Sequence, residues 1–171
     1  VDPDTGISYE EPSPNSFSFN SPYGWCDACK GLGVEDKILK ENIIVDENLS
    51  ISRGAIAPLG QYRDMWVFKK IDAVLKQNGL DISTPINKIP EKILDIILFG
   101  EDIDVAVEST KYPGTLWHTK FNGVSGFIKK TLKFRSGKTK DFMTDFITES
   151  YCDTCSGKRL KKESLYFKIN N

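Results

Sequence analysis

The sequence has few of the residues that most often build an active site. It contains a single histidine, His118, and only four cysteines among 171 residues. No Cys or Ser constellation accompanies His118, so we interpret it as a surface or phosphate-contacting residue rather than a general base. The G-x-x-x-x-G-K-[ST] loop that cradles nucleotide phosphates is also absent. The chain by itself is therefore not expected to be an enzyme.

Long apolar runs and a leader sequence are missing as well. No run approaches the roughly 20 apolar residues of a membrane span, and no secretory signal is visible. The chain opens with Val1 rather than Met, which suggests a piece of a longer protein. A hydrophobic content of 39% and a charged content of 27% are ordinary for a globular protein with a core. Four cysteines with none left over fit a reducing compartment, so we expect the cytoplasm.

All four cysteines lie in two hexads of the same form. These are Cys26-Asp27-Ala28-Cys29-Lys30-Gly31 and Cys152-Asp153-Thr154-Cys155-Ser156-Gly157. This is the pattern of a zinc knuckle, in which a turn aims two thiolates at one point and the glycine lets backbone N–H groups face the sulfurs. Two knuckles supply the four ligands of a closed tetrahedral site, with Zn–S distances of about 2.3 Å. We predict one structural zinc ion on Cys26, Cys29, Cys152 and Cys155.

The alternatives for the cysteines are a pair of disulfides or inert buried thiols. A disulfide across Cys-x-x-Cys closes a very small loop and marks a redox site, and two of them in one small domain would be unusual.

Acidic residues are missing from one long stretch. Residues 111–140 contain no Asp or Glu but eight Lys and Arg. Residues 1–110 carry nineteen acids and ten bases, whereas residues 111–171 carry five acids and thirteen bases, so the net charge of −1 conceals two halves of opposite sign. This asymmetry favours a surface that faces a polyanion. The alternative is a solvated face whose charges are balanced in space by the acidic half.

Hydrophobic periodicity predicts a mixture of helices and strands. We predict four helices. The first starts after Asp64 as its N-cap, and the second starts at Pro90 and ends at Gly100. The third starts at about residue 124, and the fourth covers about residues 139–150. Strands are predicted at residues 17–20, 102–108 and 165–169, and the first and last of these are expected to pair. Trp66 and Trp117 are assigned to the core by default, with the alternative that an aromatic residue near the basic stretch stacks on an exposed base.

These elements predict an α+β fold with an insertion. Residues 1–34 and 150–171 would form a zinc module from the two chain ends, and residues 35–149 would be an inserted domain with its own small mixed core. Closing a loop of this length costs little more than closing a short one, because the entropic penalty grows only logarithmically with length.

Two blocks of residues match the pattern of a known family. The first is Phe17-Ser18-Phe19-Asn20-Ser21-Pro22-Tyr23-Gly24, followed by Cys26-x-x-Cys29-x-Gly31-Leu32-Gly33-Val34. The second is Phe121-Asn122-Gly123-Val124, followed by Cys152-x-x-Cys155-x-Gly157-x-Arg159-Leu160-x-x-Glu163. Together they closely resemble the first zinc module and insertion domain of UvrA, the damage-recognition ATPase of bacterial nucleotide excision repair and a component of the UvrABC excinuclease.

The resemblance implies a zinc-stabilised domain that contacts duplex DNA without reading its sequence. The candidate phosphate contacts are ten basic residues of the second half: Lys129, Lys130, Lys133, Arg135, Lys138, Lys140, Lys158, Arg159, Lys161 and Lys162. For Arg159 the alternative is an ion pair with Glu163. The implied partners are the rest of the parent ATPase and the other excision repair subunits. The parent would be a homodimer that binds ATP, which this chain has no motif to bind.

Two other classes of protein compete with this interpretation. The first is a zinc-module chaperone, or a protein-interaction domain without DNA contact. Chaperones of the J-domain type also use Cys-x-x-Cys-x-Gly repeats, but they carry four copies. A redox enzyme would need a thioredoxin-like β-α-β frame around its Cys-x-x-Cys, which the flanking sequence does not offer.

Overall fold

The computed structural model describes residues 11–167, which divide into two compact units. Unit 1 combines the described residues up to Lys37 with those from Thr148 onward, and unit 2 is the segment Ile38–Ile147. The helices are α1 (Lys40–Ile43), α2 (Trp66–Lys76), α3 (Glu91–Phe99), α4 (Gly123–Phe134), α5 (Lys138–Thr144) and α6 (Lys162–Leu165). The strands are β1 (Val34–Lys37), β2 (Ile103–Glu108), β3 (Leu116–Phe121) and β4 (Thr148–Tyr151). β1 pairs with β4 and β2 with β3, both antiparallel, so the predicted α+β class is confirmed.

Helices α2 and α3 supply much of the core of unit 2. The buried residues of α2 recur every three or four positions and line one face: Val67, Phe68, Ile71, Val74 and Leu75. In α3 the same spacing buries Leu94, Ile97 and Leu98, and Gly100 ends the helix as predicted. The predicted N-cap of α2 is wrong. Met65 occupies that position, and Asp64 instead lies 2.8 Å from Lys69 Nζ in an ion pair.

The hairpin of β2 and β3 confirms one predicted strand and adds one that was not predicted. β2 alternates, with Val105 and Val107 buried. β3 buries only Phe121, so it has no period-two pattern and forms because it pairs with β2 along its whole length. Trp117 on β3 is 54% exposed, and Trp66 at the start of α2 is 56% exposed. The assignment of both tryptophans to the core is therefore wrong.

Helix α4 confirms the helix predicted in the acid-free stretch. Val124, Ile128 and Thr131 are buried, so its other face is left to solvent. Gly123 begins the helix with a φ of +62°, and a Cβ there would lie 2.7 Å from the carbonyl oxygen of Leu98, so only glycine fits. α4 has twelve residues, and none of the helices within residues 11–167 is long and apolar enough to cross a membrane.

The predicted helix over residues 139–150 is only half right. α5 ends at Thr144, and Met143 and Phe146 bury their side chains in unit 2. Residues 148–151 form β4, which pairs with β1 from Val34↔Tyr151 to Lys37↔Thr148. This pairing joins segments more than a hundred residues apart, so helical periodicity extrapolated from α5 could not reveal it.

The predicted outer strands of unit 1 are also wrong. Pro14–Phe17 is a 3-10 helix, because a proline in its first turn favours helical backbone, and the chain then turns. Residues 162–165 form α6, while residues 168 and 169 of the predicted strand lie outside the described part of the chain. The two segments still meet, since the rings of Phe17 and Phe167 pack edge to face with centroids 5.6 Å apart. Within the described residues, this aromatic contact and a hydrogen bond from the Ser164 hydroxyl to the carbonyl of Ser16 join the two segments in place of strand pairing.

Truncation of α2 tests this account of the core. Phe68→Ala is expected to lower the free energy of unfolding by about 3–5 kcal/mol, because the ring is 1% exposed and its loss leaves a cavity. Trp66→Ala on the same helix is expected to cost less than about 1 kcal/mol, because that ring is mostly in solvent. Urea denaturation followed by circular dichroism measures both. Equal losses for the two variants would contradict the assignment of the core.

Candidate metal centre and basic surface

The four cysteine thiols meet in the interior of unit 1. All four side chains are buried, and their Sγ atoms lie within 4.8 Å of one another. Cys26 Sγ is 4.0 Å from Cys152 Sγ, and Cys29 Sγ is 3.8 Å from Cys155 Sγ. The structure therefore brings together the four predicted metal ligands, two from each hexad.

These distances fit a metal centre better than disulfides. Four sulfurs placed about 2.3 Å from a tetrahedral zinc ion lie about 3.8 Å from one another, close to the two sulfur–sulfur distances just given. A disulfide requires about 2.05 Å, and all four cysteines are free thiols. The cluster can hold a metal ion, and a set of four sulfur donors suits zinc.

Both hexads fold with the same backbone. Three residues after the second cysteine have positive φ in each copy: Lys30 (52°), Gly31 (79°) and Gly33 (81°), then Ser156 (50°), Gly157 (80°) and Arg159 (70°). In each copy the last of the three donates its N–H to the second sulfur, at 3.2 Å for Gly33 and 3.3 Å for Arg159. The predicted return of backbone N–H groups toward the sulfurs is confirmed. Gly31 is needed because a Cβ there would overlap the carbonyl oxygen of Phe19.

The second cysteines of the two hexads, Cys29 and Cys155, differ in pKa. Burial raises the pKa of Cys29, but hydrogen bonds from Gly33 N–H and the neighbouring thiols outweigh it and lower the pKa to about 7. At Cys155 burial dominates and, with the neighbouring thiols, raises the pKa to about 11. One thiolate in this cluster thus disfavours another, because like charges repel in a buried site. A divalent cation among the sulfurs would offset that repulsion and favour the deprotonated ligands.

Backbone contacts fasten the two hexads to each other. Cys26 N–H donates to the carbonyl of Arg159, and Cys152 N–H donates to the carbonyl of Gly33, at 2.8 and 3.0 Å. Trp25 and Leu160 form an isolated antiparallel bridge beside them. At the surface, Lys37 Nζ donates to both oxygens of Asp153, and this bond lowers the pKa of Asp153. The sulfur positions therefore have support from the backbone as well as from any metal.

Arg159 is engaged inside unit 1. Its Nε donates to the carbonyl of Gly31 at 2.6 Å, and its guanidinium lies 3.6 Å from the centroid of the Phe19 ring. Gly33 makes room for it, since a Cβ there would lie 2.7 Å from Arg159 Cγ. Within the described residues no ion pair joins Arg159 to Glu163, which was the alternative expected from their spacing.

The other predicted phosphate contacts fall into two groups, one in each unit. In unit 2 the group lies on α4, just after it and on α5, and all its members are exposed: Lys129, Lys130, Lys133, Arg135, Lys138 and Lys140. None of these six forms an ion pair within residues 11–167. In unit 1, Lys158 and Lys162 are exposed, and Lys161 lies 3.6 Å from a carboxylate oxygen of Asp27.

Comparison with known proteins identifies the family of the chain. The family model for the UvrA DNA-binding domain matches residues 40–143, more than half of the chain and nearly all of unit 2. This chain belongs to the UvrA DNA-binding domain family. The six predicted phosphate contacts of unit 2 lie inside the matched segment, whereas the four cysteines and residues 158–162 lie outside it.

Individual relatives extend the match beyond that segment. UvrABC system protein A of Clostridium acetobutylicum is 36% identical over 174 residues, and that of Listeria monocytogenes is 35% identical over 173 residues. Each match covers 99% of this chain but only 18% of the relative. The chain thus spans about a fifth of the length of the curated relatives it matches. The crystal structure of UvrA2 from Deinococcus radiodurans has the same fold, with a TM-score of 0.69 and 24% identity over 90% of this chain and 20% of that one.

Metal analysis tests the thiol cluster. The chain purified under reducing conditions is expected to contain one zinc ion, and Cys152→Ser should lose it, because three thiolates and a hydroxyl make a poorer site. Elemental analysis gives the stoichiometry. Hydrogen exchange should show faster exchange in unit 1 of the variant, while amides of α2 stay protected by their own apolar core.

Thr154→Ser is the matched control, because it changes an exposed non-ligand in the same hexad. It should keep the metal. Metal-free wild-type protein with disulfides within each hexad, or a control that loses metal as readily as Cys152→Ser, would overturn the assignment.

Proposed function

We propose that this chain is the zinc-stabilised DNA-interaction domain of a UvrA protein, the damage-recognition ATPase of bacterial nucleotide excision repair. The observation that carries the proposal is the coincidence of the family match with the acid-free stretch. The matched segment 40–143 contains every basic residue of α4 and α5, and these residues are exposed and without carboxylate partners in the described structure.

Electrostatics supports duplex DNA as the ligand. Lys129 and Lys133 are one turn apart on the exposed side of α4, so they can neutralise neighbouring phosphates and release counterions. Contacts of this kind position a protein on DNA without reading its bases. A domain that meets damage in any sequence would then respond to the shape and deformability of the duplex.

We assign different tasks to the two parts of the chain. The zinc module, residues 1–34 and 150–171, would hold both ends of the inserted domain, residues 35–149, through the ligands Cys26, Cys29, Cys152 and Cys155. Lys158, Lys161 and Lys162 are proposed as a second group of phosphate contacts. Arg159 is proposed to stabilise the module, because its guanidinium is already bonded to Gly31 and stacked on Phe19.

The remaining partners belong to the whole protein. We propose that the parent is a cytoplasmic homodimeric ATPase that works with the other subunits of the UvrABC excinuclease. The name of the two relatives, UvrABC system protein A, supports the assignment to that system. ATP would bind elsewhere in that parent, because this chain lacks the phosphate loop.

A second candidate function, contact with another protein, has one observation in its favour. The β2–β3 hairpin exposes three large apolar side chains near its turn: Tyr112, Leu116 and Trp117. Exposed apolar clusters of this kind often mark protein interfaces.

Charge reversal on α4 tests the DNA proposal. The chain should bind duplex DNA weakly and without sequence preference, and the logarithm of its affinity should fall with the logarithm of salt concentration. Lys129→Glu combined with Lys133→Glu should weaken binding equally for all sequences and flatten that slope by about 2, since each lost phosphate contact removes about 0.9. Fluorescence anisotropy across a salt series measures both quantities.

Lys88→Glu combined with Lys92→Glu is the matched control. These lysines are exposed, have the same spacing and lie outside α4 and α5, so the total charge changes equally while the proposed surface stays intact. Equal losses of affinity would mean that only the net charge matters. Lost thermal stability with unchanged affinity in the α4 variant would instead show that its lysines balance the acidic half of the chain.

Nucleotide binding gives an independent check on the domain content. Isothermal titration of the chain with ATP and Mg²⁺ should show no binding, because the backbone cradle for phosphates is missing. Stoichiometric binding would contradict the proposed division between this domain and the ATPase.

A further inference from the structure

A groove in unit 2 combines cations and aromatic rings on the side of α4 that turns toward α2. It has a volume of about 560 Å³ and runs between the first residues of α2 and the full length of α4, about 18 Å. Its aromatic lining includes Trp66, Phe127 and Phe134, and its cations are Lys70, Lys120, Lys130 and Arg135. Lys129 and Lys133 do not line it, but the Lys133 ammonium lies 5.4 Å from the centroid of the Phe134 ring. The groove and the outer face of α4 therefore adjoin at Phe134.

Among residues 11–167, no carboxylate lines this groove. Its polar lining consists of the four cations together with Asn122 and Thr131. In that part of the chain only one of the four cations, Lys120, has an acidic partner: the carboxylate of Asp104 accepts a hydrogen bond from the Lys120 amino group at 2.9 Å on the β2–β3 hairpin. Three cations thus converge on one groove without compensating charge, an arrangement that favours an anionic ligand.

The pKa of Lys70 reflects the repulsion between the cations of the groove. Its Nζ donates to the carbonyl of Lys120 at 2.7 Å, which holds it at the groove. Burial and the positive charge of Lys130 both lower the pKa of Lys70. A phosphate between these lysines would relieve the repulsion that the free groove retains.

Two aromatic rings of the groove are largely exposed. Trp66 is 56% exposed and Phe134 is 67% exposed, although each begins or ends a helix whose other apolar residues are buried or partly buried. A lysine lies beside each ring: Lys69 Nζ is 5.8 Å from the centroid of Trp66, and Lys133 Nζ is 5.4 Å from that of Phe134. Flat rings next to cations are the combination that binds single-stranded nucleic acid, in which bases stack on aromatics and phosphates meet the cations. Bases in an intact duplex are already stacked and paired, so their faces are not available to such rings.

We propose that this groove binds unpaired nucleotides of DNA, with bases stacked on Trp66 and Phe134 and phosphates held by Lys70, Lys130 and Arg135. The proposal rests on the proposed DNA-binding function and names a part of the ligand that the outer face of α4 does not recognise. It would let the domain hold a strand that has lost its pairing at a distorted site, while the outer lysines hold the duplex beside it.

The experiment compares two labelled oligonucleotides by fluorescence anisotropy at one salt concentration. The probes are a twelve-nucleotide oligothymidylate and a fully paired duplex of mixed sequence. Trp66→Ala should weaken binding of the single strand about tenfold or more, because each lost base–aromatic stack removes a large part of the affinity. Binding of the duplex should change less than twofold. Trp66→Phe should restore most of the single-strand affinity.

Trp117→Ala is the matched control, since Trp117 is similarly exposed in the same unit but does not line the groove. Phe134→Ala provides a second variant at the other end of α4, and circular dichroism verifies that each variant is folded. A polyglutamate chain of equal charge, added as a competitor, should displace the oligothymidylate poorly.

Each outcome decides between the proposals. Unchanged single-strand affinity in both Trp66→Ala and Phe134→Ala, with salt-dependent duplex binding intact, overturns the groove assignment and leaves the proposed function standing. Equal displacement by polyglutamate also overturns it, because the groove would then be a general anion site. Single-strand binding that depends on Trp66 without any duplex binding supports the groove and overturns the outer-face assignment. Binding of neither probe overturns both.

Discussion

Convergence of four thiols from the two ends of the chain is the constraint on which unit 1 depends. Cys26 and Cys152 are 126 residues apart, yet their sulfurs lie 4.0 Å from each other. Among the described residues of unit 1, the buried apolar cluster consists of the four cysteines, so a metal–thiolate centre would replace the core that so short a module cannot build. The repeated backbone turn, the two N–H···S bonds and the Arg159 side chain all serve to hold this arrangement.

Unit 2 obtains its stability in a different way. Its helices and hairpin bury a continuous apolar core that includes Phe68, Ile97, Val105 and Ile128. Because only one side of α4 packs into that core, the rest of the helix can carry cations and exposed rings without loss of packing. Separate sources of stability suit the proposed division, in which the module would hold the inserted segment and the inserted segment would bind the ligand.

In the proposed function, helix α4 would offer two chemically different surfaces to DNA. Lys129 and Lys133 are exposed cations, with the Lys133 ammonium 5.4 Å from the centroid of the Phe134 ring. Exposed cations suit the phosphates of a regular duplex in any sequence. Lys130 and Phe134 instead share a groove with Trp66, where cations and aromatic rings lie together. Contacts to the DNA phosphate backbone need only a duplex, whereas contacts to unpaired bases need a distorted site. With both kinds of contact, α4 would bind a duplex and also distinguish its local distortion.

The sequence alone determined the features that depend on local pattern. Spacing predicted the four clustered cysteines and the N–H groups turned toward sulfur, and helical periodicity predicted the buried faces of α2, α3 and α4. Tertiary structure decided what depends on distant partners. β3 and β4 form because β2 and β1 offer edges to pair with, Trp66 and Trp117 stay in solvent because other residues fill the core, and Arg159 turns inward because Gly31 and Phe19 accept it. Hydrophobic periodicity depends on the spacing of residues along the chain. The pairing of β3 and β4, the exposure of the tryptophans and the orientation of Arg159 depend instead on contacts between distant segments, which sequence spacing does not encode.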